Sequence, residues 1–129
     1  MKKRIKIKVV KEGKGYSASA IVKDHFIATE SDIFEGLKKE ILDALNFTFE
    51  EKGIVYTQDH LRFEYDLESF FDFYRVINAK ALSERIGMNQ SLLAQYINGI
   101  KKPSHAQTMR ILEGVHQIGR ELTEARFLL

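Results

Sequence analysis

The sequence contains no cysteine, no tryptophan and a single proline among its 129 residues. Without cysteine the chain forms no disulfide and uses no thiolate, which excludes disulfide-rich secreted domains and cysteine-dependent enzymes. No apolar run approaches the roughly 18 residues of a membrane span. Residues 1–8 alternate charged with apolar side chains and lack the apolar core of a signal peptide. We therefore expect a globular, cytoplasmic protein of one domain or two small ones.

Charge is distributed unevenly along the chain. The net charge is +2, but residues 1–20 carry +6, residues 21–78 carry −7 and residues 79–129 carry +3. A modestly basic C-terminal part suits a nucleic-acid partner, whereas the acidic middle would repel DNA. The acidic middle therefore needs a different partner, or none.

The N-terminal half shows strand patterns on both sides of one helix pattern. Apolar and polar residues alternate in several short runs, which is typical of half-buried strands. These runs predict strands at 4–10, 16–23, 26–29 and 61–65. Between the last two strands, Ser31 is expected to cap a helix of about 18 residues. The predicted order is βββαβ, with the first three strands in an antiparallel meander.

Residues 78–103 carry closely spaced signals for helix starts and stops. Helices are predicted at 79–86 and 90–97, because each follows an asparagine, a good N-cap, and precedes a residue that ends helices. Gly87 ends the first, since glycine adopts the left-handed conformation without steric cost. The capping and terminating residues in chain order are Asn78, Gly87, Asn89, Asn98, Gly99 and Pro103. Two short helices joined by a glycine-containing turn make a helix-turn-helix.

The second of these helices has one apolar and one polar side. The apolar side consists of Leu92 or Leu93, Tyr96 and Ile97. The other side carries Gln90, Ser91, Ala94 and Gln95. A helix in the major groove reads bases from its N-terminal turns, and glutamine pairs bidentately with adenine. Asn89 at the helix N-terminus, with Lys101 and Lys102, is expected to hold phosphates; the alternative is an ordinary helical hairpin with solvated glutamines.

Residues 82–103, LSERIGMNQSLLAQYINGIKKP, resemble the helix-turn-helix of phage-repressor-like (XRE-type) DNA-binding proteins. The glycine, the polar cap, the apolar positions and the Asn-Gly pair all align with the family's pattern. The resemblance implies that Gln90, Ser91 and Gln95 touch bases. Ser83 stands where the family usually has alanine, and serine is small enough to fit there.

A βββαβ unit followed directly by an XRE-type domain resembles the HicB family of antitoxins. Those proteins join a degenerate RNase H-like module to a C-terminal DNA-binding domain. Residues 15–20 and 110–124 add to the likeness, whereas residues 26–32 replace the family's glycine-rich segment. The resemblance implies the antitoxin of a type II toxin–antitoxin pair. Such a protein binds and neutralises a small basic HicA-type mRNA-cleaving toxin and represses its own promoter.

The acidic middle of the chain is a plausible complement for a basic toxin, because opposite charges speed encounter. The candidate toxin contacts near the predicted strand-to-helix turn are Asp24, Glu30, Asp32 and Glu35. Each of these residues taken alone also fits an ordinary solvated acidic face.

An enzyme of the RNase H type would need clustered carboxylates that hold divalent metals. The N-terminal strands offer Glu12, Asp24 and Glu30, all at turns or strand ends. His105 and His116 are not spaced i, i+4, so they form no helical metal pair. We expect no catalytic residue, no metal and no cofactor. Two alternatives stay open: a ligand-responsive repressor without a toxin partner and a metal-dependent nuclease.

These patterns together predict an α+β fold in two parts, a βββαβ toxin-binding module at 1–66 and a helical DNA-binding domain at 67–129. The domain is expected to begin with a helix over 68–76. Its last helix should run from the cap Ser104 towards Glu124, with Met109, Leu112, Val115 and Ile118 or Leu122 facing inward. The apolar tail 126–129 should pack internally or at a dimer interface.

One recognition helix makes few base contacts by itself. A homodimer, or a higher even oligomer, is therefore expected to bind a palindromic double-stranded operator. Its two recognition helices would lie about 34 Å apart on successive major grooves.

Overall fold

A computed structural model describes residues 4–129 and shows an α+β fold. The described residues form four strands and five α-helices, as the sequence patterns predict, and the strands make one mixed sheet. The chain divides into two compact units, the first ending at Phe73 and the second beginning at Tyr74.

The first unit contains the sheet and two helices. Its elements are β1 (Ile5–Glu12), β2 (Gly15–Val22), β3 (His25–Ser31), α1 (Phe34–Thr48), β4 (Leu61–Tyr65) and α2 (Leu67–Phe73). The strand order is β3-β2-β1-β4; β1, β2 and β3 are antiparallel, and β4 pairs in parallel with β1. The expected βββαβ order is confirmed, and α2 follows it.

The core of the first unit lies between one face of the sheet and α1. Alternation along the strands places every second side chain on the same face, so Ile7 and Val9 of β1 are buried together. Helical spacing does the same on α1, where Leu37, Ile41 and Leu45 are fully buried. The opposite face of the sheet carries mostly polar residues, together with a few apolar side chains that include Ile21 and Phe26.

The start of α1 differs from the prediction. Ser31 pairs with Tyr16 as the last residue of β3, so it does not cap the helix. The N-cap is Ile33, which makes no side-chain capping bond, and the Ser31 hydroxyl accepts a hydrogen bond from the Ile33 N–H at 3.4 Å. Pairing in the sheet outweighs the local capping preference of serine here.

Helix α2 belongs to the first unit, whereas the sequence pattern assigned residues 68–76 to the helical domain. Ser69 is buried, and its hydroxyl accepts a hydrogen bond from the Lys11 N–H at 2.8 Å. Asp72 accepts bonds from Lys11 Nζ at 2.8 Å and from the Tyr16 hydroxyl at 2.9 Å. The boundary between the units therefore lies at 73/74 rather than 66/67, because polar contacts far apart in sequence tie α2 to β1 and β2.

The second unit contains α3 (Ala79–Ile86), α4 (Gln90–Ile97) and α5 (His105–Glu124). The predicted bounds of α3 and α4 are confirmed, and Ser104 caps α5 through a bond from the Gln107 N–H. The inward face of α5 agrees with the predicted one only in part, since Val115 and Ile118 are half-buried. Ile111 and Gly114 are buried, whereas Met109 and Leu112 are each 40% exposed.

The buried side of α5 includes Gly114 because this residue has no side chain. A Cβ at this position would clash with Ile86 Cγ2 and lie 3.2 Å from Leu82 Cδ1, so glycine lets α5 approach α3 closely. An apolar-spacing argument treats glycine as neutral and therefore misses this contact.

Within the residues that the structure describes, nothing covers the apolar tail. Phe127, Leu128 and Leu129 are fully exposed, so the expectation of internal packing is wrong, and packing against a second copy stays a prediction. Among residues 4–129, no helix is both long enough and apolar enough to cross a membrane.

Candidate nucleic-acid interface

The turn between α3 and α4 is held by hydrogen bonds characteristic of a Schellman motif. Gly87 has φ 66° and ψ 33°, the left-handed conformation that the sequence predicts. The Gly87 N–H bonds to the Glu84 carbonyl at 3.3 Å, and the Met88 N–H bonds to the Ser83 carbonyl at 2.9 Å. Met88 is buried, which anchors the turn. Together these contacts set where α4 begins.

Asparagine caps both helices. The Asn78 Oδ1 accepts a hydrogen bond from the Ala81 N–H at 2.9 Å, and the Asn89 Oδ1 accepts one from the Leu92 N–H at 3.1 Å. The first intrahelical bond of α4 runs from the Leu93 N–H to the Asn89 carbonyl, so the N–H groups of Gln90 and Ser91 have no acceptor within the helix and are the free donors at its N-terminus. This end of α4 is suited to an anionic partner.

The burial of α4 decides which side chains can reach a ligand. Leu93 and Tyr96 are buried and therefore set the inward side. Gln90, Ser91 and Ala94 are exposed, whereas Gln95 is half-buried. Two of the three candidate base-reading residues are thus exposed, and Gln95 is partly covered.

The phosphate candidates surround α4 at both ends. The Asn89 Oδ1 accepts the capping bond from the Leu92 N–H, and its side-chain NH₂ group can donate to a phosphate. Lys101 and Lys102 are exposed in the loop after α4. The Gln95 backbone carbonyl accepts bonds from the Ile100 N–H at 2.9 Å and the Lys101 N–H at 3.2 Å, which ties this loop back onto the helix.

Arg110 on α5 is a residue that the sequence patterns do not single out. Its Nη2 donates to the carbonyls of Ile86 at 2.8 Å and Gly87 at 3.1 Å, and its Nη1 donates to Gln107 Oε1 at 3.0 Å. The end of α3 needs such donors because its last carbonyls have no intrahelical partner. Arg110 therefore joins α5 to the turn that precedes α4.

A second link between α3 and α5 is an ion pair at the surface. The Arg85 guanidinium donates to both carboxylate oxygens of Glu121, at 2.7 and 3.1 Å. Hydrogen bonds from Arg85 and Gln117 lower the pKa of Glu121, and the bond to Glu121 raises the pKa of Arg85. The pair is solvent-exposed, so we expect it to orient the helices more than to stabilise them.

The four candidate toxin contacts do not form one cluster in the first unit. Glu30 and Asp32 line an open groove of about 640 Å³. The full lining of this acidic groove is Glu12, Lys14, Gly15, Tyr16, Glu30, Ser31, Asp32 and Glu40. Glu12 and Glu40 were not among the candidates; they come from β1 and α1, and only the tertiary fold brings them to this groove. Glu35, in the first turn of α1, does not line it.

Asp24 lies at the other end of β3 from the acidic groove. It forms the β2–β3 turn with Lys23, and the strand between Asp24 and Glu30 spans about 20 Å at the rise of a β-strand. Both turn residues have positive φ, 48° for Lys23 and 68° for Asp24. Near this turn, Lys23 and Lys52 lie over the ring of Phe49. Asp24 therefore belongs to a different surface.

The acidic groove does not have the arrangement of a metal site. Glu40 Oε2 accepts a hydrogen bond from the Thr29 hydroxyl at 3.1 Å, and Glu12 Oε1 accepts one from the Ser17 hydroxyl at 3.3 Å. Within residues 4–129 no three histidine or acidic side chains are placed so that they could hold a metal ion together.

Comparison of the chain with protein-family models, with curated proteins and with solved structures finds no match in any of the three.

Proposed function

We propose that this chain is an antitoxin that represses its own promoter through α3 and α4 and neutralises a basic mRNA-cleaving toxin through its first unit. The DNA-binding part of this proposal rests on the exposed N-terminus of α4. There Gln90 and Ser91 are exposed beside free backbone N–H groups, while Leu93 and Tyr96 are buried behind them.

In this proposal α3, the turn and α4 act as a helix-turn-helix, with α4 as the recognition helix. Gln90, which is exposed, and Gln95, which is half-buried, each carry an amide that can pair with adenine in the major groove. The N-terminus of α4, Lys101 and Lys102 contact phosphates on either side and set the register. Arg110 and the Schellman turn support the geometry, because a base-reading side chain is only as well placed as the helix that carries it.

The DNA part is tested with the DNA upstream of the protein's own gene. Gln95→Ala should cost about 1–3 kcal/mol on the operator and relax its specificity, whereas Lys102→Ala should weaken operator and random DNA alike. Fluorescence anisotropy over a salt series measures both, with Gln58→Ala in the first unit as a matched control. Equal losses on operator and random DNA for Gln95→Ala would remove its base-reading role.

The toxin part is supported by charge and by the order of elements. Residues 21–78 carry a net charge of −7, and the βββαβ order agrees with the degenerate RNase H-like module that the HicB resemblance implies. The acidic groove concentrates part of this charge, with Glu30 and Asp32 both at its lining. A basic RNA-binding surface is the natural complement of such a groove.

The toxin part is tested by co-expression with any small basic protein encoded beside this gene. A complex should form and mRNA cleavage by that protein should stop. Asp32→Lys at the groove should impair both effects, whereas Asp24→Lys at the opposite end of β3 is the matched control. Absence of an adjacent basic partner, together with intact operator binding, would favour a ligand-responsive repressor instead.

A further inference from the structure

The sheet of the first unit has two free edges within residues 4–129, β3 and β4, and they differ in how they are protected. Free edges are usually guarded by short length, charged side chains, proline or bulges. β4 has five residues, and its exposed Arg62 pairs with Glu64 at 2.8 Å. β3 has seven residues and a continuous register with β2, and no lysine, arginine or proline occurs between His25 and Glu35.

The backbone of β3 presents hydrogen-bonding groups along this edge, which no lysine, arginine or proline protects. The two-residue turn at Lys23 and Asp24 makes Val22 and His25 the closing pair of the hairpin, and such a pair is hydrogen-bonded. Hydrogen-bonded and open positions then alternate along the strand. The N–H and C=O groups of Phe26, Ala28 and Glu30 therefore point away from β2, where another strand can accept and donate.

The side chains along the edge differ between its two ends. At one end Ile21 and Phe26 are direct cross-strand neighbours on the outer face of the sheet, 77% and 71% exposed. At the other end Glu30 leads into the acidic groove with Asp32. A strand lying along β3 would meet an apolar contact first and carboxylates last.

We propose that β3 is a docking edge for an extended basic segment of a partner protein, which adds to the sheet as a further strand. Backbone pairing with Phe26, Ala28 and Glu30 would supply affinity, and alternate side chains would supply specificity. The charge of the edge selects the partner, since β3 and the residues that follow it carry Glu30, Asp32 and Glu35 and no lysine or arginine up to Glu35. If the partner is the toxin, this inference rests on the proposed function.

A second copy of the chain that pairs along the full length of this edge, in the register centred on Ala28, is a poorer occupant. Antiparallel self-pairing centred on Ala28 would place each Phe26 opposite the partner's Glu30. An aromatic side chain beside a carboxylate lacks the favourable cross-strand contact that an aromatic or basic neighbour provides.

The test uses Ala28→Pro in the full chain, with Ala28→Val as the matched control. Proline removes the outward N–H of residue 28 but none of the bonds to β2, and proline is tolerated on edge strands for this reason. Valine keeps the N–H and suits a strand. Should the proline variant fail to fold, Glu30→Lys reverses the charge at the edge, with Glu51→Lys as its control at an exposed site outside the sheet.

The probe is a fluorescent nine-residue peptide of alternating lysine and valine, compared with the same peptide carrying glutamate for lysine. Ala28→Pro and Glu30→Lys should each weaken binding of the lysine peptide at least about tenfold, and both controls should stay within about twofold of wild type. Equal binding to wild type and Ala28→Pro, or equal binding of the two peptides, would overturn the proposal.

Parallel measurements separate this inference from the proposed function. If the toxin binds wild type and Ala28→Pro equally, toxin neutralisation remains supported, but β3 is not the docking edge. A toxin that binds neither overturns the proposed function, while the peptide result still decides the edge. A particle mass by light scattering that halves in Ala28→Pro assigns the edge to a second copy and also overturns the proposal.

Discussion

Replacing glycine by alanine should affect stability differently at two positions of α5, Gly114 and Gly119. A Cβ at Gly114 would clash with Ile86 Cγ2 and lie 3.2 Å from Leu82 Cδ1, whereas a Cβ at Gly119 meets nothing within 4 Å. Both glycines lie inside one helix, so replacement by alanine brings the same gain in helix propensity at each. Any difference between the two variants therefore measures the packing of α5 on α3.

The size of that difference follows from two terms. Alanine is favoured over glycine in a helix interior by about 1 kcal/mol, so Gly119→Ala should stabilise the second unit by up to about that amount. Overpacking a tight contact costs about 1–3 kcal/mol, so Gly114→Ala should be less stable than Gly119→Ala by this margin. Relative to wild type, Gly114→Ala should range from about neutral to about 2 kcal/mol less stable.

The assay is urea unfolding of the full chain followed by NMR on amides of α3, α4 and α5. Residue-resolved detection is needed because the two units need not unfold together. In a double-mutant cycle, Gly114→Ala should cost less in the Ile86→Ala background than in wild type, since Ile86→Ala removes the methyl group that the new Cβ meets. Equal stabilisation by Gly114→Ala and Gly119→Ala would refute the close packing of these helices.

Two further predictions concern a strained turn and an ion pair. Asp24→Gly should raise the free energy of unfolding of the first unit by about 1 kcal/mol in thermal or urea unfolding, because residue 24 has φ 68° and glycine adopts positive φ without steric cost; a loss of stability would contradict this. The lowered pKa of Glu121 means that its pairing with Arg85 contributes above the usual glutamate pKa of about 4.3 and is lost as pH falls through the lowered value. The difference in free energy of unfolding between wild type and Glu121→Gln should therefore become smaller below that pH. A difference that stays the same across the pH range would contradict the pairing.

Local signals in the sequence were sufficient for most element bounds. Asn78 and Asn89 cap α3 and α4 as predicted, and Gly87 takes the left-handed conformation between them. The alternation at 61–65 likewise matches β4. These features depend on residues three or four positions apart, so a linear sequence contains the necessary information. The exceptions are Ser31, where sheet pairing overrode a local cap, and the helix predicted at 68–76, which ends at Phe73.

The tertiary structure decided the features that depend on distant residues. It placed α2 on the sheet through Lys11 and Tyr16, and it brought Glu12 and Glu40 to the groove of Glu30 and Asp32 while leaving Asp24 at the far end of the strand.

The orientation of α5 also depends on residues distant in sequence. So does the link from Arg110 to the turn before α4. Composition and spacing identify which residues can cap, pair or read a base. Which of them meet depends on how the sheet and helices pack, because each such contact joins segments tens of residues apart and forms only when the whole unit has folded.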